Sequence, residues 1–236
     1  MNVKLCFYGA LLLAVQPIAG CADDGGSNET AVDRNVGSDG ETATADAADY
    51  DHMIVVFGDS LYAGYGLDQD EGFAPELQRA LSDGGQSVRV VNAGVSGDTT
   101  AAGLQRLSFT LDGLDATPDL VIVGLGGNDM LRGISPEQTR ANLQAILDEL
   151  ESRGIDAMLT GMLAAPNLGA DYADQFNPIY TDLAAQYDVP LYPFFLDGVI
   201  QRPELMLPDG IHPTAEGIDV VVERIETMVE AEIAAP

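Results

Sequence analysis

The chain has 236 residues, 46% of them hydrophobic, which is room for one α/β domain with a core of its own. Asp and Glu number 38 against 10 Lys and Arg, a formal charge of −28 that repels phosphate backbones and argues against a nucleic-acid partner. Lys4 is the only lysine, and so acidic a surface suits a saline habitat, although an ordinary exported acidic protein has the same look.

The first twenty residues read as an export signal: a basic start at Lys4, an apolar stretch from Leu5 to Val15, then Ala19 and Gly20 before Cys21. That stretch is too short to span a bilayer. Cys6, the other cysteine, lies inside the signal, so Cys21 has no partner for an intrachain disulfide. Ile18-Ala19-Gly20-Cys21 resembles the bacterial lipoprotein box. The resemblance implies an exported chain acylated at Cys21 and anchored in the cell envelope; with Ala22 and Asp23 following, it implies the outer membrane of a diderm host. Residues 21–51 are small, polar and acidic without apolar periodicity, as in a flexible tether, and they do not meet the ligand spacing of a calcium-binding EF-hand. The folded domain is expected over 52–236.

From there short apolar runs alternate with helix-period stretches. Strands are expected at 53–57, 87–92, 119–125, 156–162 and 189–194. Ser135 as N-cap, Pro136 in the first turn and Gln138 completing a capping box open a helix with Leu143, Ile146, Leu147 and Leu150 on one face. The last helix repeats that logic with Ile218, Val221, Val222, Ile225 and Val229. This alternation predicts a three-layer α/β/α arrangement around a five-stranded parallel sheet, whose ligands sit at the carboxyl ends of the strands.

The unusual turns collect at that end. Gly58-Asp59-Ser60 follows the first strand, Gly94 permits a close backbone approach after the second, and Asp98 is placed to cap the next helix. After the third strand Gly126-Gly127-Asn128 reads as a tight turn presenting an amide; a dinucleotide loop would need glycine where Asp129 stands. Of the two histidines, His52 precedes the first strand, and only His212 follows a strand's carboxyl end. Without a Cys/His cluster no metal is expected. If Ser60 is a nucleophile, His212 is its base, and Asp209, three residues earlier, can accept the imidazole N–H and favour the imidazolium.

Gly58-Asp59-Ser60-Leu61, Gly94, Gly126-Gly127-Asn128-Asp129 and Asp209-Gly210-Ile211-His212-Pro213 resemble the sequence blocks of the GDSL, or SGNH, hydrolases over nearly the whole domain. Within that family the exported arylesterases and thioesterase I/lysophospholipase L1 enzymes are most similar. The resemblance implies a flavodoxin-like fold and a cofactor-free serine esterase acting on esters or thioesters. It implies Ser60, His212 and Asp209 as triad, and the N–H groups of Ser60 and Gly94 with the Asn128 amide as oxyanion hole. Asp59 and Asp129 are expected in turn and helix-end hydrogen bonds. Met130, Leu131, Leu163 and Leu168 are expected to wall the acyl site. A monomer is expected. The same fold carries carbohydrate O-deacetylases, which would need a polar groove there; a non-catalytic lipoprotein would be expected to lack one of the four polar site residues, and all are present.

Overall fold

The computed structural model describes residues 50–234, so the expected export signal, Cys21 and nearly all of the expected tether lie outside the described residues. The strands are β1 (His52–Gly58), β2 (Val88–Gly94), β3 (Leu120–Gly124), β4 (Asp156–Thr160) and β5 (Leu191–Tyr192). The helices are α1 (Ser60–Ala63), α2 (Phe73–Asp83), α3 (Thr100–Asp112), α4 (Gly127–Leu131), α5 (Pro136–Arg153), α6 (Ala170–Phe176), α7 (Pro178–Tyr187) and α8 (Ala215–Ile233). All strand pairs are parallel and the order is β2-β1-β3-β4-β5, as expected for the doubly wound sheet. The chain leaves β1 toward β2 and then returns to the other flank of β1 for β3. That reversal opens a crevice between the carboxyl ends of β1 and β3.

Strand periodicity sorts β1 between two cores. Ile54 and Val56 point to one face with α2 and α8, whereas Val55 and Phe57 point to the other with α3, α5 and α7. All four are fully buried, each worth about 1.5–3 kcal/mol in removed apolar surface. The expected apolar faces of α5 and α8 are buried as read from the sequence. Ser135 caps α5 by accepting the Gln138 N–H. Strand ends shift by up to two residues, and two expectations change in kind. β5 is confined to Leu191–Tyr192 because Pro190 and Pro193, which lack N–H groups, bracket it. Helix α3 is capped by Thr99, which accepts from the Ala102 N–H, while Asp98 turns to Arg106 at 2.6 Å. His52 opens β1, at the end of the sheet away from Ser60.

Candidate active site

Ser60 is the first residue of α1, and a row of glycines sets its position. Gly94, Gly58 and Gly124 are register partners at the ends of β2, β1 and β3. Tyr62 lies over them: a Cβ on Gly58 would come within 2.4 Å of its ring, and one on Gly124 within 2.1 Å. A Cβ on Gly94 would meet the Ala63 nitrogen at 2.3 Å. The absent side chains let α1 settle directly on the sheet ends. Tyr62 is then locked by its hydroxyl on Thr160 of β4 and by Phe73 and Phe195 against its ring.

Asp59, 3% exposed, caps this turn. Its Oδ1 accepts the Leu61 N–H at 3.1 Å, and its Oδ2 accepts the Asn128 side-chain amide at 3.2 Å, across the crevice from β3. Burial pushes the Asp59 carboxyl up to about 6, opposed by those two hydrogen bonds and by nearby His212. Asp129 is fully buried and accepts from the Thr100 N–H at 2.8 Å and from the hydroxyls of Thr100 and Thr139. It ties α4 to α3 and α5 rather than facing the crevice.

His212 comes from an exposed loop before α8 that is built by local hydrogen bonds. Asp209 Oδ1 accepts the N–H groups of Ile211 and His212 at 2.9 and 3.0 Å, and Oδ2 lies 2.7 Å from His212 Nδ1. The Leu207 N–H closes the loop on the His212 carbonyl at 2.7 Å. The imidazole and the two backbone N–H groups hold the Asp209 carboxyl down at about 2. A carboxylate only accepts, so Nδ1 carries the hydrogen and Nε2 is the free acceptor. That nitrogen lies 2.8 Å from Ser60 Oγ, joining residues 152 positions apart. Tyr65 stacks on the imidazole with ring centroids 4.4 Å apart. The structure thus brings Ser60, His212 and Asp209 into one relay and sets Asn128 beside it through Asp59.

Gly94 is placed differently from the sequence-based expectation. Its N–H donates to Asn92 Oδ1 at 2.9 Å, so that donor is already engaged, and the position needs glycine because α1 rests on it. Three residues on, Gly97 sits at φ +87, and its N–H, like that of Ser60, has no acceptor among the described residues. The sequence offered two glycines in one turn, and no spacing rule separates the one that packs from the one with a free N–H. The Gly97 turn is held by the Val95 N–H on the Gly58 carbonyl, by Arg106 on Asp98, and by Arg132 on the Gly97 carbonyl at 2.7 Å.

The expected apolar wall divides. Met130 is 8% exposed and belongs to the core beneath, its sulfur accepting the Ala165 N–H, and Leu168 packs partly buried on the same core. Leu131 and Leu163 are 56% and 46% exposed. The connection after β4 that carries Leu163 and Leu168 continues into α6 and α7.

Residues 56–220 match the family described as GDSL-like Lipase/Acylhydrolase. The chain is 40% identical over 177 residues to an arylesterase of Vibrio mimicus, covering 75% of this chain and 88% of that one. It is 41% identical over 176 residues to thioesterase 1/protease 1/lysophospholipase L1 of Escherichia coli, covering 74% and 80%. Among solved structures, the SGNH-hydrolase family esterase AlinE4 is 51% identical with a TM-score of 0.66, covering 78% of this chain and 97% of that one. Two further structures of AlinE4 carry alanine in place of one serine or one aspartate, and those two positions are separated in its sequence by as many residues as Ser60 and Asp209 are here.

Proposed function

The chain belongs to the GDSL-like lipase/acylhydrolase family, whose members similar to it are named as esterases and thioesterases, and we propose that it hydrolyses carboxylic esters or thioesters through an acyl-enzyme on Ser60. The observation that carries this reading is the continuous relay from Asp209 Oδ2 through His212 to Ser60 Oγ, at 2.7 and 2.8 Å. His212 Nε2 takes the Ser60 proton as Oγ attacks the carbonyl carbon. Asp209, its carboxyl held down at about 2, stabilises the imidazolium that results. The tetrahedral oxyanion is received by the N–H groups of Ser60 and Gly97 and by the Asn128 amide; Gly97 replaces Gly94 in this role because the N–H of Gly94 is already bonded to Asn92. Collapse expels the alcohol or thiol, which takes the proton from His212. Water activated by the same nitrogen then releases the acid and restores Ser60.

The acyl chain has an apolar rim to lie against in Leu131 and Leu163, with Leu168 and the edge of Met130 behind it. Ser60, His212, Asp209 and Asn128 meet within a single chain, so the relay needs no residue from a second copy. Labelling of Ser60 by a fluorophosphonate, followed by rates on p-nitrophenyl esters of rising length beside a lysophospholipid, an acyl-CoA and an acetylated sugar, tests the reading and ranks the leaving groups. No labelling at Ser60, with no turnover of any ester, overturns it.

The lipid anchor belongs to the same proposal. Small residues before Cys21, its lack of a disulfide partner and the polar tether that follows support export, acylation at Cys21 and a place on the outer membrane facing the periplasm or the exterior. The intact mass of the natively expressed protein decides it, and a mature chain without acyl groups at Cys21 overturns it.

A further inference from the structure

Eight arginines fall among the described residues, and seven of them pair with a carboxylate. Arg132 is the exception. It follows α4, four residues after Asn128, with its N–H on the Asn128 carbonyl at 3.1 Å and its guanidinium on the Gly97 carbonyl at 2.7 Å. In a protein with a formal charge of −28, a cation with no ion pair beside the crevice is conspicuous against every other arginine described. Arg132 is exposed, so solvent screens part of its field, but none of that field is taken up by a carboxylate among the described residues.

Its partner is equally specific. Gly97 has φ +87 and no side chain, so only contacts from outside fix its torsions. Its carbonyl and N–H belong to successive peptide units hinged at one Cα, and a grip on the first restrains the direction of the second. Arg106 holds the other side of the turn through Asp98 and the Gly58 carbonyl, but its charge is spent on Asp98. Arg132 therefore joins the loop that carries Gly97 to the helix that carries Asn128.

We infer that Arg132 is a positioning residue of the oxyanion site: it clamps the Gly97 carbonyl so that the Gly97 N–H and the Asn128 amide converge, and its unshared charge favours the oxyanion. This rests on the oxyanion assignment above and adds to it the residue that sets its geometry and field. An interaction that acts on developing charge changes kcat and the affinity for tetrahedral mimics, and leaves ground-state binding almost untouched.

The test compares Arg132→Met, Arg132→Lys and Asn128→Ala in the full-length protein, by p-nitrophenyl ester kinetics and by inhibition with an alkyl boronic acid that forms a tetrahedral adduct on Ser60. Arg132→Met is expected to lower kcat about 10-fold, less than loss of a donor that touches the oxyanion, and to weaken the boronate by a similar factor with KM nearly constant. Arg132→Lys, which keeps the charge, is expected to recover part of the loss. Full kcat and full boronate affinity in Arg132→Met, while Asn128→Ala is impaired, overturn the role of Arg132 alone. A raised KM with unchanged kcat also overturns it, since Arg132 would then bind the substrate's ground state. Unimpaired Asn128→Ala instead sinks the oxyanion assignment itself. If Arg132→Met fails to fold, Arg132→Gln is expected to show the same fall in kcat, and its unchanged kcat overturns the inference.

Discussion

The two halves of the relay are built in opposite ways. Ser60 stands on a turn whose neighbours are buried, over three glycines from three strands, with the Asp59 carboxyl pushed up to about 6 by burial. His212 and Asp209 stand on a loop near solvent, closed on itself by hydrogen bonds between residues nine or fewer positions apart, with the Asp209 carboxyl held down at about 2. Each half is therefore vulnerable in a different place. The position of Ser60 depends on the packing of the whole sheet end, whereas that of His212 depends on two or three local hydrogen bonds and on docking against Ser60.

The comparison is sharpened most by Ser60→Ala, which removes the bond-forming atom and leaves both scaffolds intact. Turnover of any ester is expected to fall about 10⁴–10⁶-fold at an unchanged melting temperature. Next comes Asp209→Asn, acting on the exposed half. It removes a carboxylate that only accepts, permits the wrong tautomer of His212, and is expected to lower kcat about 10²–10⁴-fold while thermal stability hardly moves. Stopped-flow acylation rates beside melting curves check both, and a large fall in stability for Asp209→Asn would break the claim that its loop stands on its own.

Gly124→Ala attacks the buried half with no change to any polar group. A Cβ there would lie 2.1 Å from the Tyr62 ring, which Thr160, Phe73 and Phe195 prevent from moving aside. About 1–3 kcal/mol of stability should be lost by urea denaturation, together with activity, as α1 lifts and carries Ser60 with it. Wild-type stability in Gly124→Ala would remove the argument that the glycine row seats the nucleophile.

The smallest effect separates the two carboxylates by pH. The folded pKa of Asp59 lies above its unfolded value, so the folded state holds the proton longer and stability declines as pH rises from about 4 through about 6. Asp59→Asn removes that charge, and should therefore gain on wild type by about 1–2 kcal/mol between pH 5 and pH 8, less than the full shift because Asn128 loses an anionic acceptor. It should lose kcat for the same reason. Asp209 has the opposite sign: its depressed pKa adds stability above about pH 4 that disappears as pH falls toward 2, and its exposure makes that contribution small. Urea titrations of wild type and Asp59→Asn at the two pH values check the sign, and a gain independent of pH would count against a buried ionisable Asp59.

Much of this was present in the order of residues. Alternating apolar runs place five strands and the buried faces of α5 and α8, because burial obeys the periods of the backbone and needs no knowledge of neighbours. Asp209 and His212 are three apart and meet within one turn, so their pairing too is a local matter. The joining of His212 to Ser60 across 152 positions could be expected from the histidine count, the rule that such sheets use their carboxyl ends and the family resemblance, with no local pattern to fix it. Tertiary structure alone decided which glycine packs and which leaves its N–H without an acceptor among the described residues, that Met130 sinks into the core while Leu131 beside it stays out, that Asp98 serves Arg106 instead of its helix, and that Arg132 meets no carboxylate among those residues. Each of these depends on what lies within a few ångströms from a distant part of the chain, and sequence distance carries no record of that.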